Sequence, residues 1–270
     1  IECYFQSKLR LFTMLTINST AIVNISDSFG KRISEKSSAP VVPFSNNKHN
    51  SIHYQDKKTS LKGITGNIIA GQKIYSIKSK LIGDFNSENI LAAVSVAHAL
   101  GEDKTAIEDG IKACYPIPGR MESYCITSGA IVIIDYAHTP DAYLKVLSTI
   151  KQDLGEFRNL YAVFGAGGDR DKTKRPKMAE IAENFAEHCF ITPDNPRTEN
   201  PEKIAKEISL GFKGSGYTVF RDRGLGLKSA LERAGKEDIV IVLGKGREEY
   251  QDVMGTKIFY SDIKIIKEYQ

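Results

Sequence analysis

Leu160-Tyr-Ala-Val-Phe-Gly-Ala-Gly-Gly168 is an apolar run that ends directly in a glycine-rich turn. An apolar run of this length, bounded by a turn, is typical of a strand that is buried on both faces of a sheet. Similar runs recur along the C-terminal half of the chain, and stretches with helical spacing lie between them. Alternating strands and helices predict parallel β-α-β units, with helices covering both faces of one sheet.

The C-terminal half of the chain therefore predicts an α/β domain with a mostly parallel sheet. Its strands are predicted at Ala130–Ile134, Leu160–Phe164, Cys189–Thr192, Tyr217–Phe220 and Ile239–Leu243. Its helices are predicted near residues 141–153, 177–187, 201–211 and 225–234. In sheets of this kind ligands bind at the carboxyl ends of the strands, so the residues that follow each strand are the candidates for a site.

The N-terminal part of the chain predicts a second unit of strands and helices. Short strands are predicted at Thr20–Ile25 and Pro40–Phe44, a meander of strands at 62–83, and helices at Asn89–Leu100 and 104–114. Two prolines and a glycine lie within the following segment Tyr115–Gly119. This composition predicts a linker between the two parts of the chain.

The composition is that of a globular protein. The chain has 270 residues, enough for one large domain or two ordinary ones, and its 41% hydrophobic and 26% charged residues exclude a disordered or fibrous protein. The net charge of +4 comes from interleaved basic and acidic residues, which argues against a nucleic-acid partner. The chain contains no apolar run long enough to predict a membrane span.

The cysteines of the chain, Cys3, Cys114, Cys125 and Cys189, are far apart in the sequence. None lies at metal-ligand spacing from another cysteine or a suitable histidine, so no metal site is predicted in this chain. Scattered cysteines without a signal peptide predict reduced, mostly buried thiols in a cytoplasmic protein.

Asp135 and His138 follow the strand predicted at Ala130–Ile134. An acid and a histidine three residues apart at the end of a strand can face one cleft. The carboxylate can accept hydrogen bonds from ribose hydroxyls, and the imidazole can stack or donate. The alternative is a helix-capping aspartate beside an incidental surface histidine.

The turn after Phe164 is rich in glycine and is followed by basic residues. Exposed backbone N–H groups in such a turn let an anion approach closely, and Arg170, Lys172, Lys174 and Arg175 favour the same interpretation. The turn matches neither the Walker A pattern nor G-x-G-x-x-G. The alternative is a tight turn with solvated charges.

Polar residues also follow the strands predicted at Cys189–Thr192 and Ile239–Leu243. The loop Pro193–Arg197 contains two prolines that stiffen it, and Arg197 is suited to bidentate capture of a carboxylate. Glycines around Lys245 open the last loop, where Glu248 could bind an amino group. The alternative is an ordinary loop in which Asn200 caps the next helix. Because all these loops follow strands of one sheet, they predict a cleft for a nucleotide and an amino-acid-like zwitterion.

These motifs, taken together, resemble one family, the Mur ligases of peptidoglycan synthesis. The motifs occur in the family's order, and the N-terminal stretch Glu2–Phe12 is similar to the family's central domain. The motifs that carry the resemblance are Phe85–Ala93, Pro118–Glu122, Asp135–Pro140, Gly167–Asp171, Asp194–Arg197 and Gly244–Gly246.

The resemblance implies a three-domain enzyme of which this chain is a part. Residues 1–116 would be the latter half of a P-loop-type α/β central ATPase domain, and residues 117–270 a Rossmann-like C-terminal domain that binds an amino acid. The motifs are most similar to the member that uses ATP and Mg²⁺ to add meso-diaminopimelate to UDP-N-acetylmuramoyl-L-alanyl-D-glutamate. That reaction belongs to cell-wall biogenesis, and so to cell shape and division. A monomer is the expected state.

The resemblance also implies roles for individual residues. The incoming amino acid would be bound by Arg170, Asp194, Asn195, Pro196, Arg197, Gly244 and Glu248. Asn89 would contact the adenine side of ATP, and Arg120, Asp135 and His138 would hold ATP across the domain junction. The Asp-Asn-Pro-Arg form of the third loop is associated with meso-diaminopimelate, where Arg197 faces the distal carboxylate.

The sequence departs from the family pattern in two respects. Arg247 stands where the family usually has His. The chain also begins with Ile1 rather than Met, and the phosphate-binding loop, the magnesium ligands, the modified lysine and the UDP-sugar domain are expected upstream of it. We therefore expect the chain alone to fold without catalysing ligation. The alternatives are a lysine-adding muramoyl ligase, a folylpolyglutamate synthetase and a truncated, non-catalytic binding module.

Overall fold

The chain divides into two compact units. In the computed structural model, residues 2–48, 51–153 and 159–270 are described. Unit 1 is Ile1–Tyr115 and unit 2 is Pro116–Gln270, so the boundary lies at the predicted linker. Both units combine helices with a mixed sheet, and the predicted α/β class with mostly parallel sheets is confirmed.

Unit 1 is built on one sheet, with strands in chain order from one edge to the other. The strands are β1 (Ala21–Asn24), β2 (Val41–Phe44), β3 (Ile52–Ser60), β4 (Gly63–Ala70) and β5 (Lys73–Ser79). The helices are α1 (Glu2–Thr13), α2 (Ser28–Lys36), α3 (Asp84–Ala99) and α4 (Lys104–Ala113). The first three strands pair in parallel, and β3, β4 and β5 pair antiparallel.

Helix α3 forms the core of unit 1 together with the sheet. Its Ile90 and Val94 are buried against Ile64, Ile68 and Tyr75 of the strands. The helix begins five residues before its predicted start, because its first turn contains one apolar residue, Phe85, and so lacks the repeated apolar spacing on which the prediction depended. In the same way the polar stretch before β2 is helix α2, and the polar stretch after it is strand β3.

Unit 2 is built on a six-stranded sheet with the order β10-β9-β8-β11-β7-β6. Its strands are β6 (Glu122–Cys125), β7 (Ile131–Asp135), β8 (Leu160–Phe164), β9 (His188–Ile191), β10 (Tyr217–Val219) and β11 (Ile239–Leu243). Its helices are α5 (Pro140–Asp153), α6 (Lys174–Phe185), α7 (Pro201–Ser209), α8 (Arg223–Arg233) and α9 (Asp262–Lys267). All neighbouring strands pair in parallel except β6, which pairs antiparallel with β7.

Strand β11, the last of the parallel strands in the sequence, lies between β7 and β8. Every residue of β8 and β11 is buried, as the continuous apolar runs predict. Helices α8 and α9 pack on one face of the sheet, and Tyr143 of α5 contacts Phe164 from the other. The carboxyl ends of β7, β11, β8 and β9 therefore lie side by side at one edge.

A two-stranded hairpin that the sequence analysis did not predict follows β11. It consists of β12 (Tyr250–Val253) and β13 (Thr256–Phe259), joined by Met254 and Gly255 with φ angles of 52° and 78°. Two residues with positive φ form the tight turn that best suits the twist of a hairpin. Two short β-rich runs separated by two residues that end in glycine are the local signal for it.

A buried ion pair ties α8 to α9 beneath the carboxyl ends of the strands. Arg223, which is 1% exposed, donates to both carboxylate oxygens of Asp262 at 3.0 and 2.9 Å. The guanidinium also donates to Thr192 Oγ1 at 3.2 Å and to the carbonyl oxygen of Leu243 at 3.1 Å. Arg223 thus joins the ends of β9 and β11.

The four cysteines are free thiols, as predicted, but the prediction that most are buried is wrong. Cys189 is buried in β9, whereas Cys3, Cys114 and Cys125 are exposed. In the described part of the chain, no helix is long and apolar enough to cross a membrane.

Replacement of Asp262 by alanine leaves the buried guanidinium of Arg223 without its charged partner. Loss of one partner of a buried pair lowers the free energy of unfolding by about 3–5 kcal/mol. Urea unfolding followed by circular dichroism measures this change, since the chain has no tryptophan to report it by fluorescence.

The matched control is Glu180→Ala, which removes the surface pair between Glu180 and Lys213. These side chains are 52% and 80% exposed, so the free energy of unfolding is expected to change by less than about 1 kcal/mol. An equally small change in Asp262→Ala would contradict the structural role given to the buried pair.

Candidate functional site

An open cleft of about 540 Å³ lies in unit 2 at the carboxyl ends of the central strands. Each of its walls is a loop that follows one of these strands, so residues distant in the sequence meet there. The predicted site residues that line it are His138, Arg170, Asp194, Asn195, Arg197, Gly244 and Glu248. It is also lined by Tyr136, Thr139, Gly167, Asp171 and Lys174.

The remaining predicted site residues lie elsewhere. Pro196 lines a neighbouring cavity of about 690 Å³ between its loop, α7 and the end of β10. Asn89 is exposed on α3 of unit 1, where its side-chain amide donates to Asn86 Oδ1 at 3.2 Å. Asp135 and Arg120 belong to unit 2 but are not among the residues that line the cleft.

Asp135 is buried at the end of β7 and connects two loops. Its two carboxylate oxygens accept hydrogen bonds from the backbone N–H of Met121 at 2.9 Å and of Ala137 at 2.7 Å. Burial raises the pKa of Asp135, and the two amide donors act in the opposite direction by favouring its ionised form. In this arrangement the carboxylate positions the loop that follows β7.

Tyr136 connects three of the predicted site residues. The Arg120 guanidinium lies 5.1 Å from the centre of its ring, and the His138 ring packs edge-on against it. Its hydroxyl donates to Glu248 Oε1 at 3.4 Å, and burial raises its pKa. Tyr136 lies within the motif Asp135–Pro140, and no role was predicted for it.

The glycine-rich loop after β8 packs backbone to backbone against the loop after β9. The N–H of Gly168 donates to the carbonyl oxygen of Asn195 at 2.9 Å. A Cβ atom on Gly168 would lie 1.9 Å from the carbonyl oxygen of Pro196, and one on Gly165 would lie 2.0 Å from that of Thr192. These glycines are therefore required by the close approach of the two loops.

The basic residues of this loop divide into two groups. Arg170 and Lys174 line the cleft, where Lys174 Nζ donates to the carbonyl oxygen of His138 at 2.8 Å and burial lowers its pKa. Arg175 is fully buried and binds Glu199 and Glu207 at 3.0 and 2.6 Å, and Lys172 pairs with Glu199 at 3.3 Å. The interpretation of all four cations as anion ligands is thus wrong for Arg175, whose charge is used within the fold.

The hairpin β12–β13 is hydrogen-bonded to the loop Pro193–Arg197. The Gln251 side-chain amide donates to the carbonyl oxygens of Pro193 and Asp194 at 3.1 and 3.0 Å. The N–H of Arg197 donates to the Asp252 carbonyl oxygen at 2.8 Å, and the N–H of Met254 donates back to Arg197 at 2.8 Å. These two bonds hold Arg197 at a φ of 50°, which is uncommon for a residue other than glycine.

The Arg197 guanidinium lies between the cleft and the glycine-rich loop. Its Nη1 donates to the carbonyl oxygen of Gly168 at 2.6 Å, and its Nε is 3.8 Å from Asp252 Oδ2. The side chain is partly exposed, so further N–H donors of the guanidinium remain for a ligand. Asn200, as the sequence analysis anticipated, caps α7 by accepting from the N–H of Glu202 at 2.8 Å.

Lys245 is the main site residue that the sequence analysis missed. Its side chain is fully buried, and its ammonium lies within 3.6 Å of Asp194, Asn195 and Glu248. The sequence shows only a lysine between two glycines, and nothing local distinguishes a buried lysine from an exposed one.

Arg247, where the resemblance leads one to expect His, binds the edge strand β6. Its Nε donates to Glu122 Oε2 at 2.9 Å, its other donors reach Glu122 and Tyr124, and Glu122 also accepts from the N–H of Gly119 at 2.8 Å. Burial opposes the ionised form of Glu122, but hydrogen bonds from Arg247, Tyr124 and Gly119 outweigh it and lower its pKa from 4.5 to about 2.

Comparison with known families assigns the two parts of the chain to two domains of one family. Residues 1–97 match the Mur ligase middle domain, and residues 119–246 match the Mur ligase glutamate ligase domain. Among curated relatives, the UDP-N-acetylmuramoyl-L-alanyl-D-glutamate–2,6-diaminopimelate ligase of Aquifex aeolicus is 37% identical over 269 residues, which is 99% of this chain and 54% of that protein. The ligase of the same name from Vibrio vulnificus is 44% identical over 187 residues, or 69% of this chain and 38% of that protein.

Solved structures give the same assignment. A structure of a UDP-N-acetylmuramoyl-L-alanyl-D-glutamate–2,6-diaminopimelate ligase is 33% identical with a TM-score of 0.68, over 99% of this chain and 56% of that one. A folylpolyglutamate synthase from Thermotoga maritima has a TM-score of 0.70 at 17% identity, over 90% of this chain and 55% of that one. The second likeness is one of fold alone. The chain spans about half the length of the curated relatives it matches.

Replacement of Gly168 by alanine forces the two central loops of the cleft apart, since its Cβ would meet the Pro196 carbonyl oxygen at 1.9 Å. We expect the free energy of unfolding to fall by about 1–3 kcal/mol, as in other overpacked positions. Chemical denaturation of both proteins measures this change. The matched control is Gly110→Ala in α4, where a Cβ meets nothing within 4 Å and stability is expected to rise by about 0.5–1 kcal/mol. A neutral Gly168→Ala would contradict the close contact.

The ion pair between Glu122 and Arg247 makes the free energy of unfolding depend on pH. Replacement of Glu122 by glutamine removes this contribution. Because folding lowers the pKa of Glu122 from 4.5 to about 2, its contribution is fully present above pH 4.5 and is lost as the pH falls through about 2. The stability difference between the wild-type protein and Glu122→Gln should therefore shrink steadily over this range. Thermal melts across the range measure it, and a constant difference would contradict the assignment.

Proposed function

Because the chain belongs to the Mur ligase family, we propose that it forms the middle and C-terminal part of an ATP-dependent acid–amino-acid ligase. The proposed reaction adds meso-diaminopimelate to UDP-N-acetylmuramoyl-L-alanyl-D-glutamate during peptidoglycan synthesis. Residues 1–116 are the proposed portion of the central domain and residues 117–270 the C-terminal domain. The observation that carries the proposal is the cleft of unit 2, which places Arg197 and Glu248 in one site.

The charges of the cleft suit a doubly zwitterionic amino acid. Arg170, Lys174 and Arg197 supply cations, and Asp194 and Glu248 supply carboxylates. Meso-diaminopimelate has two carboxylates and two amino groups, so each of its ends can pair with groups of opposite charge. In this proposal Arg170 and Arg197 bind carboxylates, while Gly244 and Glu248 bind an amino group.

Arg197 is the proposed specificity residue. Lysine has no carboxylate at the distal end, so it would leave the guanidinium beside Gly168 without its ligand. A site built to bind a polar group rejects an analogue that lacks the group by about 10⁴–10⁵-fold. The relatives that match at 35–44% identity carry the name of the diaminopimelate ligase, which supports the same choice over lysine.

The proposed ATP-binding residues are Asn89, Arg120, Asp135 and His138. Arg120 and His138, which are exposed in unit 2, fit a nucleotide together with Tyr136. Arg120 lies over the Tyr136 ring, and the His138 ring packs edge-on against it. A cation, an aromatic face and an imidazole can hold phosphate and base. Asp135 would act by positioning the loops that carry Met121 and Ala137. ATP supplies the phosphoryl group that activates the carboxylate of the nucleotide substrate.

Mg²⁺ has no complete set of protein ligands among the described residues. The described residues contain no group of three or more histidine, cysteine or acidic side chains that could hold a metal ion. We therefore propose that the magnesium ligands, like the phosphate-binding loop, belong to a further part of the protein, and that this chain alone binds the amino acid without ligating it. A cytoplasmic monomer without nucleic-acid or membrane partners completes the proposal.

In this proposal, the full-length protein that contains this chain turns over with meso-diaminopimelate and not with lysine. Phosphate release in the presence of ATP, Mg²⁺ and the UDP-muramoyl-dipeptide measures both rates. Replacement of Arg197 by alanine should reduce kcat/KM for diaminopimelate by about 10²-fold or more, since a charge-assisted pair with the distal carboxylate is lost. Arg233→Ala, on α8, is the matched control and should change neither rate.

Each other outcome of this assay selects an alternative. Turnover with lysine in the wild-type protein would favour the lysine-adding ligase. Absence of turnover with both amino acids, in a folded protein, would favour a non-catalytic binding module. Turnover of the isolated chain would contradict the proposed dependence on a further part of the protein.

A further inference from the structure

Lys245 has a fully buried side chain, and three of its neighbours are residues proposed to bind the incoming amino acid. Its ammonium donates to Asn195 Oδ1 at 2.9 Å and to Glu248 Oε2 at 3.2 Å, and lies 3.6 Å from Asp194 Oδ1. We propose that Lys245 is a positioning residue that sets the net charge and the hydrogen-bonding direction of the amino-acid subsite. This inference rests on the proposed function.

These acceptors, together with the Tyr250 ring 5.7 Å from the ammonium, offset the cost of burying Lys245. An ammonium ion removed from water requires oppositely charged or strongly polar neighbours. Asp194 and Asn195 come from the loop after β9, and Glu248 comes from the loop after β11, 53 residues from Asn195 along the chain. Lys245 is thus a cation that crosslinks the two loops from inside the protein.

Lys245 and the backbone N–H of Asp252 together fix the orientation of the Asn195 amide. Lys245 Nζ and the N–H of Asp252 can only donate, so the amide atom that faces them, at 2.9 and 3.0 Å, is the oxygen. The amide nitrogen donates to Glu248 Oε2 at 2.8 Å. With both lone pairs of its oxygen used, Asn195 can offer a ligand only its remaining N–H, which suits a carboxylate.

The charge of the cluster follows from a simple sum. Asp194 and Glu248 contribute two negative charges and Lys245 one positive charge, which leaves one negative charge. One ammonium group of the ligand then neutralises the subsite. Without Lys245, the carboxylates of Asp194 and Glu248 would repel each other with no cation beside them.

Replacement of Lys245 by methionine in the full-length protein tests the charge argument. We expect KM for meso-diaminopimelate to rise at least about 10-fold and to become pH-dependent, because the two carboxylates lose the cation that lies beside both of them in the wild-type protein. We also expect kcat/KM for lysine to rise relative to diaminopimelate, since lysine carries one more net positive charge. In contrast to Lys245→Met, Lys245→Arg should retain the wild-type pH profile, because it keeps the positive charge.

The control is Lys228→Met on α8, which removes a surface lysine paired with Glu268 and should leave KM and its pH profile unchanged. Circular dichroism establishes that each variant is folded. If methionine prevents folding, Lys245→Gln, which keeps a donor for Asn195 without the charge, provides the same two measurements.

The outcomes separate this inference from the proposed function. A wild-type protein inactive with both amino acids would overturn the proposed function itself. A wild-type protein active with diaminopimelate, together with folded neutral variants whose KM and pH profile match it, would overturn the role of Lys245 alone. A raised KM with a flat pH profile that Lys245→Arg does not rescue would also overturn it, since it would reflect packing and not charge.

Discussion

The position of β11 between β7 and β8 is the constraint on which the site depends. This pairing brings the last parallel strand of the sequence to the centre of the sheet, so that its loop lies between loops that precede it by up to about a hundred residues. His138, Arg170, Asp194 and Glu248 can then line one cleft. Parallel strands end at the same edge, and the crossover that places β11 determines which loops are neighbours there.

Buried cations connect the loops at the carboxyl ends of the strands. Arg223 joins the ends of β9 and β11 through Thr192 and Leu243, and Lys245 joins the loops that follow the same two strands. Arg175 does the same for the glycine-rich loop and Glu199. Each is costly to bury alone and is stabilised by carboxylates and carbonyl oxygens that come from different elements. The loops that line the cleft are therefore connected by ion pairs and hydrogen bonds within the protein, which do not require a ligand.

The fold is shared at low sequence identity. The likeness to a folylpolyglutamate synthase at 17% identity has a TM-score as high as that to a diaminopimelate ligase at 33%. The residues that line the cleft lie in the loops, among them Arg197, which the hairpin β12–β13 holds at a positive φ. Even the departure at Arg247 is accommodated, because Glu122 and Tyr124 of β6 provide partners that suit a guanidinium.

The sequence by itself determined the α/β class, the boundaries of β8 and β11, and the loops in which the site residues lie, because apolar periodicity and glycine-rich turns are local signals. It could not reveal helix α2 or strand β3, whose polar residues carry little apolar pattern. Only the tertiary structure decided that Lys174 faces the cleft while Arg175, the next residue, is buried. It alone placed Lys245 beside Asn195, 50 residues away. The reason is physical: the fate of a charged side chain depends on partners that are distant in sequence and become neighbours only when the sheet forms.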